Sequence, residues 1–166
     1  MLDIVLAVLL IVQPVFAFDQ AAAGQTTSDQ AKAAPAFQLK DLQGRRIRLS
    51  DYKGKVVLIN FWATWCSPCQ AEMPELVKLQ REYASRGLQV ISITCPPERK
   101  EQVRRVVRKF RLNYPVLFGT REMTRLYEAE DVLPVTIIVD RDGRVHGRIL
   151  GILEPEEFQE KILPLL

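Results

Sequence analysis

From residue 36 onward the chain alternates between short apolar runs and longer stretches whose apolar residues fall three or four apart. Residues 36–39 and 47–49 alternate apolar and polar side chains about a segment, 41–46, that contains Gly44, and this predicts a small β-hairpin. Residues 51–55 read as a turn. Residues 56–61 are apolar except for Asn60, as expected of a strand buried on both faces. From Cys66 to about Arg86 the spacing turns helical. Met73, Leu76, Val77, Leu79 and Tyr83 give a partly apolar face, Pro74 lies inside and predicts a kink, and Gly87 stops the helix. Residues 88–94 predict a second strand and 98–110 a second helix; 115–118 are short and extended, and 122–127 suit a helical turn or two. Residues 135–140 and 145–150 flank Asp142-Gly143, a strong hairpin signal. Pro155 opens a final helix, with Glu154, Glu156 and Glu157 at its positive end. The order is hairpin, βαβα, ββα, without internal repeats. It implies an α/β fold with a parallel pair of strands and a later antiparallel addition.

The N-terminal part has a different character. Residues 4–12 are an unbroken apolar run, followed by Gln13-Pro14 and the small-residue site Val15-Phe16-Ala17. A helix of that length cannot cross a hydrocarbon core of ~30 Å. It suits the apolar region of a signal peptide, although Asp3 is the only early charge. Residues 1–18 are therefore expected to be a signal peptide or a membrane anchor. Residues 19–34, rich in Ala, Gln, Ser and Thr, are expected to be a flexible linker, and 35–166 the folded domain.

Composition narrows the function. Hydrophobic residues make up 48% and charged residues 26%, the profile of a globular protein, and a net charge of +3 is too small to argue for nucleic acid. Arg104, Arg105, Arg108 and Lys109 interleave with Val103, Val106, Val107 and Phe110, which reads as the wet face of an amphipathic helix. Three cysteines are too few for a disulfide scaffold. The lone His146 lies far from them and reads as a surface strand residue, so neither a metal site nor a cofactor is expected.

The chemistry concentrates at Trp65-Cys66-Ser67-Pro68-Cys69, which follows a buried strand and opens a helix. A cysteine there faces unpaired backbone N–H groups and the positive end of the helix dipole, and both favour thiolate over thiol. Two intervening residues place the second sulfur about one turn along. Cys66 is then the attacking thiol and Cys69 the buried thiol that resolves a mixed disulfide. Pro68 has fixed φ and no N–H to donate to the thiolate.

Residues 49–55, the strand 56–61, Trp62-Ala63-Thr64-Trp65-Cys66-Ser67-Pro68-Cys69, Glu72-Met73-Pro74, Leu133-Pro134-Val135-Thr136 and 139–143 together resemble the thioredoxin superfamily. The closest resemblance is to its TlpA/ResA-like branch, which includes the cytochrome c maturation reductases. The resemblance covers the chain from about Pro35 onward. It implies a thioredoxin fold, a mixed central sheet flanked by helices, with an added N-terminal β-hairpin. It also implies that Pro134 is a cis-proline beside the dithiol, offering backbone groups to substrate, and that Glu72 is an acidic residue near the site, a proton acceptor for Cys69. Asn60 stands where cytoplasmic thioredoxins carry a buried Asp. Trp65 is the tryptophan expected to shape the reactive surface.

Two features depart from the pattern. Residues 127–133 are acidic and lack the glycine often found there, so they form either a charged rim that filters partners or an ordinary solvated loop. Cys95, at the end of the second strand, is either a third redox thiol or an inert one.

The function expected is a thiol:disulfide oxidoreductase at the periplasm or the outer face of the cytoplasmic membrane. It would reduce disulfides of exported proteins, apocytochrome c among the candidates, and be re-reduced by a membrane electron donor. Ser67-Pro68 favours a potential nearer the −270 mV of thioredoxin than the −120 mV of the oxidase DsbA. The alternatives are a disulfide-forming oxidase, a non-catalytic binding domain and a peroxiredoxin. The last is disfavoured because Cys66 lacks the Pro-x-x-x-Thr-x-x-Cys signature.

Overall fold

The apolar run at residues 56–61 becomes the central strand, β3 (Val56–Trp62), and all of it is buried. In the computed structural model, which describes residues 32–166, β3 pairs in parallel with β4 (Leu88–Thr94) and antiparallel with β6 (Val135–Val139). A short strand β5 (Val116–Phe118) extends the sheet beyond β4 in parallel, and β7 (Val145–Leu150) extends it beyond β6 antiparallel. The order is β5-β4-β3-β6-β7. The parallel part thus has three strands where the pattern implied two. Three residues are too few for periodicity to register, and β5 exists because Ser92, Ile93 and Thr94 of β4 offer it a ladder. A separate hairpin, β1 (Gln38–Lys40) with β2 (Arg46–Arg48), precedes the sheet, so this is the thioredoxin-like architecture with an added N-terminal hairpin. The expectations for residues 1–18, and for the linker as far as residue 31, lie outside the described residues. Within the rest of the expected linker, Val145 N–H donates to Lys32 O at 2.8 Å and Ala34 N–H to Gly143 O at 3.0 Å.

The pleat of β3 sorts the core. Val56, Leu58 and Trp62 face helices α1 (Ser67–Tyr83) and α2 (Lys100–Phe110), meeting Leu76, Leu79, Val103 and Val106. Val57, Ile59 and Phe61 face the hairpin and the short helix α3 (Arg121–Leu126), meeting Phe37, Leu39 and Met123. The cations of α2 are exposed, as is His146 on β7. Pro74 lies within α1 without ending it, and Gly87 closes the segment at φ +97°, a left-handed conformation that glycine adopts without strain. The final helix is not continuous. α4 (Pro155–Glu157) widens into a π-turn over Phe158–Ile162 and closes in a 3₁₀ turn over Leu163–Leu165. Phe158 and Ile162 are both buried, Phe158 stacking on Tyr83 with ring centroids 4.9 Å apart, and Pro164 supplies no N–H to carry the helix on.

The candidate functional side chains lie at the C-terminal ends of β3 and β4, on the first turns of α1 and in the loop before β6. Gly119 holds that edge together. Its N–H donates to Thr94 O at 3.1 Å, and a methyl group at its Cα would collide with that same carbonyl and with Ile93. Gly119→Ala is therefore expected to cost about 2–3 kcal/mol, seen as a lower urea midpoint with an unchanged m-value.

Candidate active site

β3 ends at Trp62, and the chain turns through residues 63–65 before α1 begins. Cys66 is the N-cap, with extended backbone (φ −85°, ψ 102°), and its N–H donates to Ala63 O at 3.1 Å. Its side chain does what a serine or aspartate does at a cap: Sγ accepts the N–H of Cys69 at 3.2 Å. Pro68 occupies the first turn, where its missing N–H leaves no donor unsatisfied. Cys66 and Cys69 form a disulfide, S–S 2.07 Å, with Cα atoms 5.3 Å apart. Cys66 retains 5% exposure and Cys69 none, which makes Cys66 the sulfur that an incoming partner can reach.

The dithiol opens into a cavity of about 510 Å³ lined by Trp65, Cys66, Ser67, Pro68, Cys95, Pro96, Glu130, Asp131 and Leu133. Trp65 is 73% exposed at its mouth, whereas Trp62 is fully buried in the core. The Leu133–Pro134 peptide is cis, and Pro134 is buried beside Leu133 with its carbonyl accepting the Gly151 N–H at 2.9 Å. The tertiary structure thus gathers Cys66, Pro68 and Trp65 at one opening, with Cys69 buried behind Cys66 and Pro134 adjoining through Leu133. Glu72 does not line that opening: it is one turn beyond Cys69 and buried between α1 and the sheet.

A strand-to-helix junction carrying a redox disulfide, faced by a cis-proline loop, has counterparts of known name. A model of the AhpC/TSA family matches residues 31–148. The chain is 34% identical over 129 residues to "Thiol-disulfide oxidoreductase ResA" of Geobacillus thermodenitrificans, covering 78% of this chain and 74% of that protein. It is 36% identical over 134 residues to "Thioredoxin-like protein YneN" of Bacillus subtilis, covering 80% and 78%. Among solved structures, a thiol:disulfide interchange protein of the thioredoxin family from Chlorobium tepidum superposes with a TM-score of 0.74 at 28% identity, covering 81% of this chain and 96% of that one. This chain belongs to the AhpC/TSA family, with the ResA-type thiol-disulfide oxidoreductases.

In this oxidoreductase Glu72 is 2% exposed. Its Oε1 accepts from Asn60 Nδ2 at 2.6 Å and its Oε2 from the Leu153 N–H at 3.2 Å. Asn60 also donates to Thr136 Oγ1 at 3.1 Å, and it stands in register with Ser92 on β4 and Thr136 on β6. A polar row therefore crosses three apolar strands beneath α1. Only Asn60 drew notice from sequence. Ser92 and Thr136 are single polar residues in apolar runs, and that was the available signal. Burial pushes the Glu72 carboxyl up to about 7, outweighing the opposing hydrogen bonds from Asn60 and Leu153.

A carboxyl whose folded pKa lies above its unfolded value favours folding most below the unfolded pKa and loses that contribution as pH rises toward 7. A shift of this size is worth roughly 3 kcal/mol. Glu72→Gln, which removes the titrating group and keeps an acceptor for one of the two donors, is expected to flatten the fall in unfolding free energy between about pH 4.5 and pH 7, measured by urea titration at successive pH values.

Glu98 and Gln70, which the sequence did not single out, and Lys109, read there only as part of a wet helix face, shape the approach to Cys66. The Glu98 carboxylate accepts from both the backbone N–H (2.6 Å) and the hydroxyl (2.7 Å) of Thr64. Gln70 Nε2 donates to Thr64 O at 2.8 Å, and Lys109 Nζ in turn donates to Gln70 Oε1 at 3.2 Å. Residue 64 is thereby gripped on its N–H, its C=O and its side chain. No local pattern announces such a clamp, since Glu98 reads as an ordinary helix-start acid. Cys95 N–H donates to Trp62 O at 2.8 Å, while its Sγ lies 3.8 Å from Ala129 O. Burial and the charge of Glu98 push this thiol up to about 12, which favours its protonated form near neutral pH. Glu98→Ala is expected to cost about 2 kcal/mol in chemical denaturation. Glu98→Gln, able to accept from the Thr64 N–H and donate to its hydroxyl, is expected to cost less than half as much.

Proposed function

We propose that the oxidoreductase works as a reductase of disulfides in exported proteins at the periplasmic side of the cytoplasmic membrane, with Cys66 as attacking thiol and Cys69 as resolving thiol. The observation that carries this reading is the Cys66 sulfur capping α1. The N–H of Cys69 that donates to it is one of the donors a helix leaves free, and it stabilises negative charge on that sulfur.

The electrons balance as follows. The Cys66 thiolate attacks one sulfur of a substrate disulfide, forms a mixed disulfide and expels the other substrate sulfur as thiolate. Cys69 loses its proton to the Glu72 carboxylate, and the new thiolate attacks the Cys66 sulfur. The second substrate thiolate leaves, and the Cys66–Cys69 disulfide remains. Two electrons have passed to the substrate, and a membrane dithiol donor must return them. A carboxyl held near 7 suits the proton step, because it is partly ionised at neutral pH and can both take a proton and give it up. Pro134 serves as the backbone platform beside the mixed disulfide, Trp65 as its exposed wall, and Pro68 withholds a donor that would make the reduced form more stable. Apocytochrome c is the candidate substrate that the ResA-like resemblance suggests. Export rests on residues 1–18 acting as signal peptide or anchor; among the described residues no helix is long and apolar enough to cross a membrane.

Cys69→Ala, expressed from the full chain in its own compartment, is expected to accumulate mixed disulfides through Cys66 that vanish in the Cys66→Ser, Cys69→Ala double variant. The wild-type potential, titrated against glutathione, is expected nearer −270 mV than −120 mV. A value close to −120 mV would instead favour the oxidase.

A further inference from the structure

The cavity that holds Cys66 is charged on one side only. Among the described residues its ionisable lining, the cysteines apart, is Glu130 and Asp131, with no lysine, arginine or histidine. This is a local inversion in a chain of net charge +3.

The loop carrying those acids is pinned in place. Tyr127 OH donates to Pro35 O at 2.6 Å, Ala129 N–H donates to Thr124 O at 2.7 Å, and the peptide before Pro134 ends the loop. Its carboxylates are not equivalent. Glu128 is neutralised by Arg148, whose Nη1 lies 2.8 Å from Oε2 and whose Nη2 donates to the Glu128 carbonyl. Glu130 has a loose partner in Arg125 at 3.8 Å, both side chains in solvent. Asp131 has no hydrogen bond or ion pair with any other described residue. The free charge therefore stands at the same opening as the reactive sulfur and the exposed face of Trp65.

We infer that Asp131, assisted by Glu130, makes this site selective for disulfides whose cysteines are flanked by lysine or arginine. The inference rests on the reading of Cys66 as the attacking thiol. Two effects act in the same direction. The unpaired carboxylate of Asp131, with the loosely paired one of Glu130, draws cationic segments toward the opening and repels anionic ones, which alters the association rate. Carboxylates beside Cys66 also oppose thiolate formation, and a substrate cation seated between them removes that opposition at the moment of attack. The indole face of Trp65 offers such a cation a second contact. Selectivity then depends on the substrate's own charge rather than on a shaped subsite, so it is sensitive to ionic strength.

The test uses the reduced full-length protein and symmetric disulfide dimers of one short peptide, with Lys, Ser or Glu on both sides of the cysteine. The second-order reduction rate is read for each dimer. At low ionic strength the Lys dimer is expected to react about tenfold faster than the Glu dimer, and the ratio to shrink severalfold at physiological salt, where charges are screened beyond about 8 Å. Asp131→Asn is expected to reduce the ratio and Asp131→Lys to invert it. Equal rates for all three dimers, or a ratio untouched in Asp131→Lys, would overturn the selectivity and leave the reductase reading standing. Failure to reduce any dimer, the Ser dimer included, would remove the reductase reading and the selectivity with it.

Discussion

One hydrogen bond organises the chemistry of this oxidoreductase: the N–H of Cys69 to the sulfur of Cys66 at the head of α1. A helix begins with donors that its own ladder cannot use, and here a sulfur rather than an oxygen takes one of them. That arrangement requires β3 to end at Trp62, the turn to be tight, and α1 to start at Ser67. Each requirement is met by something heavier than the hydrogen bond itself. β3 is locked between two strands with every side chain buried, and Met73, Leu76 and Leu79 tie α1 to the sheet. The sulfur's environment is thus set by packing that extends well beyond it.

The same junction depends on polar groups that the core accepts at a cost. Glu72 is a carboxyl with almost no access to water, held by two donors that do not fully offset its desolvation. An apolar residue there would pack beneath α1 at less expense. The carboxyl, hydrogen-bonded to Asn60 in the row that Asn60 forms with Ser92 and Thr136, lies one helical turn from the buried cysteine. Glu98 works differently. It grips Thr64 from the surface side and so holds the turn whose geometry aims Cys66.

Around this rigid centre the opening is built from elements remote in sequence. Trp65 belongs to the strand-helix turn, Cys95 and Pro96 to the end of β4, and residues 130–133 to the loop before β6. In a protein of net positive charge this opening is lined by the exposed Trp65 and by the carboxylates of Glu130 and Asp131. Cys95 shares the cavity yet remains a thiol, since the same burial and the same Glu98 that help shape the site oppose its ionisation.

The sequence by itself determined the dithiol, the strand before it, the helix after it and the closing hairpin. Each is encoded locally, in apolar period, helix-end residues and turn glycines within a span of some twenty residues, and such signals survive without knowledge of the partner. The third parallel strand, the burial of Glu72, the clamp on Thr64 and the placing of Asp131 and Cys66 around one cavity arise only in the closed fold. Those outcomes depend on groups far apart along the chain, 34 residues for Glu98 and Thr64 and 81 for Glu72 and Leu153. A carboxylate's role is set by what surrounds it, and Glu72, Glu98 and Asp131 look alike in sequence. Desolvation, hydrogen bonding and the absence of a cation separate them only once the chain has closed on itself.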